Sequence, residues 1–152
     1  MFSLLILCTG NSCRSQMAEG LARSIAGMIA PDHPVRVESA GVEAHGLNPR
    51  AVRAMAAIDI DIADHRSNRI DDFAGEHFDL VLTVCDNARE HCPVFPGNVR
   101  RLHRPFLDPI DATGSEAEIA AVFAGVRDDL ATWLTEVLES ALAMKIEEEE
   151  SE

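Results

Sequence analysis

The residues with the clearest chemical potential lie in a short loop of small and polar side chains near the start of the chain. Cys8 follows the apolar run Phe2–Leu7, and Arg14 and Ser15 close the loop in a C-x5-R-S pattern. A cysteine thiolate is a nucleophile, and a guanidinium group binds a tetrahedral oxyanion through paired hydrogen bonds. The spacing therefore predicts a site in which one loop both holds an oxyanion and attacks it.

The backbone of this loop is predicted to contribute as well. Gly10 can adopt a positive φ, and Asn11 tolerates the left-handed region better than most residues, so successive N–H groups can form a concave anion site. The helix that follows adds the positive end of its dipole. We expect Cys8 to be the nucleophile, with Ser15 donating a hydrogen bond to its sulfur. The predicted oxyanion ligands are Thr9, Gly10, Asn11, Ser12, Cys13, Arg14 and Ser15.

Two further cysteines, Cys85 and Cys92, follow the apolar run Leu80–Val84. Four cysteines in all could form two structural disulfides, but the chain is not a small, loop-rich scaffold and shows no export signal. In a reducing compartment, cysteines more often serve catalysis, redox chemistry or metal binding. Cys85 and Cys92 are therefore a candidate redox pair. One alternative is two unrelated cysteines, one buried at a strand end and one on the surface. Another is zinc binding by Cys85, His91 and Cys92, although their spacing matches no common zinc pattern.

The segment between these two cysteines carries a geometric constraint. In a continuous helix from Cys85 to Cys92, the two Cα atoms would be about 10 Å apart, whereas a disulfide requires less than about 7 Å. Pro93 also disfavours helix at Cys92. The segment is therefore predicted to remodel when these cysteines are oxidised.

Apolar runs alternate with amphipathic segments along the chain, which predicts a single-domain α/β fold. We expect a central four-stranded parallel sheet flanked by helices, with an oxyanion-binding loop near the N-terminus of the chain. Ligands of such sheets bind beyond the carboxyl ends of the strands, so Cys8 and Cys85 should meet there. Asn48 and Ser115 are predicted helix N-caps. Predicted core-facing helix residues include Met17, Leu21, Ile25, Met28, Val52, Met55, Ala56, Phe123, Leu130 and Leu134.

Composition excludes several classes of function. The net charge of −13 argues against a nucleic-acid-binding protein. No apolar run approaches the ~20 residues that span a bilayer, and the apolar start lacks the basic flank of a signal peptide. We therefore expect a cytoplasmic protein that binds neither nucleic acid nor membrane. Residues 1–146 are predicted to fold, and the glutamate-rich residues 147–152 are predicted to be a disordered tail.

Several motifs together resemble a known family. The similarity extends over about residues 2–138 and is to the thioredoxin-coupled arsenate reductases of the low-molecular-weight protein tyrosine phosphatase superfamily. The segments that carry it are Cys8–Gly20, Ser39–Gly41, His45–Pro49, Asp59–Ile62 and Cys92-Pro93.

The resemblance implies a relay of three thiols, which makes Cys8, Arg14, Cys85 and Cys92 catalytic. Cys8 would form an adduct with arsenate, Cys85 would attack the adduct sulfur and release arsenite, and Cys92 would then take over the disulfide for reduction by thioredoxin. The general acid would be Asp108 of Asp108-Pro109, and a second candidate is Asp111. The implied partners of this monomer are arsenate and thioredoxin, with no resident cofactor or metal. Glutaredoxin or another thiol system is the alternative reductant.

The resemblance also suggests a departure at a potassium site. Asn11, Glu19 and Ser39 match that site, but Arg66 and Asn68 stand where potassium-binding members carry Thr and Asp. We expect little potassium binding and a guanidinium in place of the ion.

Two other functions remain open from the sequence. A low-molecular-weight protein tyrosine phosphatase would need Cys8, Arg14 and Asp108 but neither Cys85 nor Cys92. Such phosphatases carry a tyrosine soon after the Asp-Pro pair, and this chain contains no tyrosine. A non-catalytic module that senses oxyanions or metals through its thiols is the second alternative.

Overall fold

Four parallel strands form the centre of the computed structural model, which describes residues 1–152. The strands are β1 (Phe2–Cys8), β2 (Val35–Gly41), β3 (Leu80–Thr83) and β4 (Arg100–His103), in the spatial order β2-β1-β3-β4. β1 and β3 are buried along their whole length, as expected for the inner strands of a parallel sheet. The predicted four-stranded α/β fold is confirmed.

Four helices accompany the sheet: α1 (Arg14–Ile29), α2 (Pro49–Ala56), α3 (Asp86–Glu90) and α4 (Glu116–Glu150). Both predicted N-caps are confirmed. Asn48 accepts a hydrogen bond from the Arg50 backbone at 2.8 Å, and the backbone N–H of Glu118 donates to the Ser115 side chain at 3.1 Å. Two short 3₁₀ turns, Ile70–Phe73 and Pro109–Asp111, complete the fold.

The core lies between the sheet and its helices, and two predicted core residues fall outside it. Met28 is 73% exposed, because no residue of α1 after Ala26 is buried and the last turn extends past the core. Ala56 is exposed because the short helix α2 buries only Ala51 and Met55, which are one turn apart.

The acidic end of the chain differs from its prediction. Residues 147–150 continue α4, so the predicted boundary after residue 146 falls inside a helix. Glu149 receives a hydrogen bond from His33 at 2.7 Å and lies 3.9 Å from the N-terminal amino group, while Lys145 one turn earlier adds a positive charge. These positive and donor groups offset the repulsion among the glutamates, which the sequence pattern alone does not show. No helix, α4 included, has the length and apolarity needed to cross a membrane.

Candidate active site

The backbone N–H groups of the loop between β1 and α1 are unpaired. The carbonyl oxygens of Cys8, Thr9 and Gly10 accept hydrogen bonds of 2.8 to 3.2 Å from the backbone of segment 42–45. The N–H groups of residues 9–13 donate no hydrogen bond within the chain. A set of successive unpaired N–H donors is the arrangement that binds an anion.

The start of α1 strengthens this anion site. Its N-cap, Cys13, provides no side-chain cap, and the first turn contains no acidic residue, so the positive end of the helix is available to an anion. Asn11 adopts the predicted left-handed conformation, with φ of 47°. Gly10 does not adopt a positive φ; a Cβ atom there would lie 2.5 Å from Nδ1 of His45, so close approach favours glycine.

A chain of hydrogen bonds defines the proton on Ser15. The backbone N–H of Asn68 donates to Oδ1 of Asn11 at 2.7 Å, which identifies the other end of this amide as the donor Nδ2. That nitrogen donates to the hydroxyls of Ser15 at 2.8 Å and Ser39 at 2.9 Å. The Ser15 oxygen is thereby an acceptor, so its own proton is directed to the sulfur of Cys8, 2.8 Å away.

Arg14 joins the loop to the segment that follows β4. Its guanidinium donates to the backbone oxygen of Phe106 at 3.1 Å and pairs with Asp108 at 3.2 Å. Arg14 is buried, whereas the Asp108 side chain is 37% exposed. Asp111, the other candidate acid, is exposed and does not line the cavity above Cys8.

The cavity above Cys8 is about 160 Å³, smaller than the roughly 300–1,000 Å³ typical of drug-sized ligands. Its size suits a small anion. The sequence reasoning assigned no site role to His45 or Ile110, which line this cavity; the only signal for His45 was its place in the recognised His45–Pro49 motif. The lining residues are Cys8, Thr9, Gly10, Ser12, Cys13, Arg14, His45, Asp108 and Ile110.

Cys85 reaches the same loop from the neighbouring strand. Leu7 of β1 pairs with Thr83 of β3, so the two strands end side by side, as predicted. The buried sulfur of Cys85 lies 3.3 Å from the hydroxyl of Thr9 and accepts a hydrogen bond from the backbone of Ala88. The fold thus brings a second thiol to the oxyanion loop.

Cys92 lies apart from this pair. α3 ends at Glu90 rather than running through the whole segment, so Cys92 follows the helix. Its half-buried thiol lines a separate cavity of about 250 Å³ with Arg89, Arg101 and His103. Burial raises the pKa of the Cys92 thiol above its ordinary value, an effect that the charge of Arg101 partly opposes.

Cys13 differs from the other thiols in its surroundings. Burial raises the pKa of Cys13 to about 11, which keeps it protonated at neutral pH. All four cysteines are free thiols in this structure.

The expected guanidinium beside Glu19 comes from a different residue. Arg23 pairs with the buried carboxylate of Glu19 at 2.7 Å, and Ser39 donates to its other oxygen at 2.7 Å. Arg66, expected to supply this charge, is exposed. Burial raises the pKa of Glu19, and the hydrogen bond from Ser39 and the charge of Arg23 oppose that rise.

His65 completes the surroundings of Glu19 as a neutral ring. Nη1 of Arg23 lies 3.1 Å from its Nε2, and a guanidinium can only donate. That nitrogen is therefore an acceptor, and Nδ1 donates to Gln16 at 3.1 Å. Burial and the Arg23 charge accordingly lower the pKa of His65, so its 3.2 Å approach to Glu19 is not an ion pair. No group of three or more His, Cys, Asp or Glu side chains is arranged to hold a metal ion.

Comparison with known proteins agrees with this arrangement of thiol, arginine and loop. The model of the family described as low molecular weight phosphotyrosine protein phosphatase matches residues 3–145. The chain belongs to this family.

Within the low molecular weight phosphatase family, the chain is similar to proteins named arsenate reductase. It is 47% identical to one from Bacillus subtilis over 137 residues, which cover 90% of this chain and 95% of that protein. It is 48% identical to one from Bacillus licheniformis over 128 residues, with coverage of 84% and 88%.

Solved structures of arsenate reductases and of protein tyrosine phosphatases resemble this fold equally well. An arsenate reductase in the oxidised state superposes with a TM-score of 0.74 at 26% identity, covering 93% of this chain and 99% of that one. A low molecular weight protein tyrosine phosphatase from T. tengcongensis gives 0.73 at 26% identity, covering 92% and 99%. The fold therefore does not distinguish a reductase from a phosphatase, and the distinction depends on the additional thiols Cys85 and Cys92.

Proposed function

We propose that this protein reduces arsenate to arsenite through Cys8, Cys85 and Cys92, with thioredoxin as the reductant. The observation that carries the proposal is the position of Cys85, whose sulfur lies 3.3 Å from Thr9 in the oxyanion loop. Hydrolysis of a phosphate ester needs one thiolate and a water molecule. A second thiol beside the loop is what a reduction by two electrons requires.

In the first step, arsenate occupies the cavity above Cys8. The free N–H groups of residues 9–13 and the guanidinium of Arg14 bind its oxygens, and the donated proton of Ser15 stabilises the Cys8 thiolate. The sulfur attacks arsenic, an As–O bond breaks, and a Cys8–arsenate adduct forms. Asp108, which lines this cavity, acts in its protonated form and gives a proton to the departing oxygen, which leaves as water.

In the second step, Cys85 attacks the sulfur of the Cys8 adduct. A Cys8–Cys85 disulfide forms and the S–As bond breaks. The bonding electron pair stays with arsenic, which leaves as arsenite. The two thiols lose two electrons, and arsenic goes from the pentavalent to the trivalent state.

In the third step, the thiolate of Cys92 attacks Cys85 and displaces Cys8. We expect the new Cys85–Cys92 disulfide to unwind α3, because Cys85 is the N-cap of this helix and Cys92 lies beyond its end. Thioredoxin then reduces this disulfide by thiol exchange and is itself oxidised. We assign the reaction to a monomer in the reducing cytoplasm, where free thiols persist.

A coupled assay tests the proposal. Purified protein with arsenate, thioredoxin, thioredoxin reductase and NADPH should consume NADPH and release arsenite in equal amounts, and Cys85→Ser should abolish this consumption. Rapid hydrolysis of a chromogenic aryl phosphate, undiminished in Cys85→Ser, together with no arsenate-dependent NADPH loss, would instead identify a phosphatase.

A further inference from the structure

Positive charge is concentrated around Cys92 in an otherwise acidic chain. Of 13 lysines and arginines in a protein of net charge −13, four lie between residues 89 and 104, where Glu90 is the only acidic residue. We call these four residues, Arg89, Arg100, Arg101 and Arg104, the arginine patch. Arg89 and Arg101 line the cavity of Cys92, and the other two stand at the ends of the exposed edge strand β4.

The arginine patch is scarcely neutralised by the chain itself. Its shortest approach to a carboxylate is 3.9 Å, between Arg89 and Asp86. Arg101 donates to the backbone oxygen of Pro93, Arg104 lies over the ring of Phe106, and Arg100 donates to the sulfur of Met144. By contrast, Arg14, Arg23, Arg36, Arg50 and Arg127 each pair with a carboxylate at 3.2 Å or less.

We propose that the arginine patch is the docking surface for a protein dithiol donor that carries acidic residues around its own reactive thiols. This inference rests on the proposed function and names the surface that the donor contacts. Val94, 89% exposed and two positions after Cys92 in the chain, offers an exposed apolar side chain to the same partner. Charges beyond about 8 Å are largely screened at physiological salt, so the patch and not the net charge determines the local attraction.

The patch also determines which sulfur the donor attacks. Cys85 is buried, whereas Cys92 is half-buried in the cavity between Arg89 and Arg101. The donor thiolate attacks Cys92 of the Cys85–Cys92 disulfide, forms a mixed disulfide and releases Cys85 as thiolate. The second donor thiol then attacks the mixed disulfide, so that the donor leaves oxidised and Cys92 leaves reduced.

The test measures reduction of the oxidised protein by thioredoxin and, separately, by the uncharged dithiol dithiothreitol. Arg89→Glu/Arg101→Glu should lower kcat/KM for thioredoxin at least tenfold, within the range of electrostatic steering, and leave the dithiothreitol rate within about twofold because Cys85 is the leaving group. Raising the salt concentration should slow the wild type more than the variant. Arg104→Glu, which replaces a guanidinium that lies over the ring of Phe106, should show a smaller loss of the same kind. Arg53→Glu, an exposed arginine on α2 without a carboxylate partner, is the matched control and should match the wild type.

Each other outcome overturns the proposal. Unchanged thioredoxin kinetics in both patch variants would remove the docking surface and leave the proposed function standing. An equal loss of the dithiothreitol rate would show that the arginines act on Cys92 itself. Glutathione serves as a third reductant, and an equal loss of its rate would show a site for small anionic thiols. If thioredoxin fails to reduce even the wild type while dithiothreitol supports arsenate reduction, the assigned reductant fails together with the docking surface.

Discussion

At the scale of single residues, the site depends on hydrogen bonds whose directions are fixed by the backbone. The N–H of Asn68 can only donate, and this fixes the amide of Asn11, which in turn fixes the proton that Ser15 gives to Cys8. A bond to a charged group contributes about 1.5–3 kcal/mol. The proposed nucleophile is therefore oriented by the side chains of Asn11 and Ser15 and by the backbone of Asn68, and none of these three residues lines the cavity above Cys8.

Two thiols in the same loop should behave differently. Cys8→Ser should abolish arsenate reduction because the nucleophile is lost, and Cys13→Ser is the matched control, since Cys13 is a buried thiol with a pKa of about 11. Arg14→Ala should lower turnover about 10²–10³-fold, as for other losses of an oxyanion donor. The measurement is arsenite release in a single turnover by each of these variants. Wild-type activity in Cys8→Ser would refute the mechanism.

Two neighbouring aspartates provide a second matched pair. Asp108→Asn should slow formation of the Cys8 adduct about 100-fold, the lower end of the usual contribution of a general acid. Asp111→Asn should have no effect, because Asp111 does not line the cavity. Rapid-quench measurement of the first turnover separates this step from the later thiol exchanges. The reverse order of effects would assign the acid to Asp111.

Potassium should not stabilise this protein. The buried carboxylate of Glu19 already pairs with Arg23 at 2.7 Å, so a cation in this place would meet a guanidinium. Melting temperatures in potassium and sodium chloride of equal ionic strength should coincide. A rise specific to potassium would show that the ion displaces Arg23.

At the scale of elements, α3 is the helix with the fewest buried residues. It has five residues, of which only Ala88 is buried, and its first turn is held by a hydrogen bond between Asp86 and His103 at 2.8 Å. Segments with few buried apolar contacts open at low free-energy cost. The helix can therefore be lost without disturbing the sheet.

The relay should stop at a defined intermediate when Cys92 is removed. Cys92→Ser should release one equivalent of arsenite and accumulate a Cys8–Cys85 disulfide, which is buried and poorly reduced by thioredoxin. Peptide mapping of non-reduced protein identifies the bond. In the oxidised wild type, amide exchange should rise across residues 86–91 as α3 unwinds. Repeated turnovers by Cys92→Ser with thioredoxin would contradict the three-thiol relay.

The sequence predicted these elements better than their ends. Strand and helix types follow from apolar periodicity, and the loop from a glycine, an asparagine and an arginine at fixed spacing. The source of the guanidinium beside Glu19 could not be predicted. Arg23 pairs with Glu19 through i,i+4 spacing on α1, whereas Arg66 was expected only from its place in the family's potassium site. His45 was missed because its ring enters the cavity from a loop whose path depends on tertiary contacts.

At the scale of the whole molecule, α4 ties the two ends of the chain together. Its 35 residues run from the capping box at Ser115 to Glu150, and Glu149 near its end meets both His33 and the N-terminal amino group. The acidic end is therefore a fold-dependent helix rather than a free tail.

The ion contacts at this end should make stability depend on pH. The hydrogen bond from His33 lowers the pKa of Glu149, and a carboxylate whose pKa is lower when folded stabilises the fold above its unfolded pKa and loses that effect as the pH falls. Glu149→Gln should lower the melting temperature slightly at pH 7 and have little effect near pH 3. Glu150→Gln, without a salt-bridge partner, is the control. An equal change at both pH values would contradict the linkage.

The contact between Arg14 and Asp108 has a consequence for biosynthesis, since the two residues are 94 positions apart. A ribosome that adds about 5–20 residues per second synthesises Arg14 roughly 5–20 seconds before Asp108. During this interval the nascent chain carries Cys8 without the aspartate and the later strands that complete the pocket. A chain that ends before residue 108 therefore carries Cys8 and Arg14 without the carboxylate that pairs with Arg14 in the complete pocket.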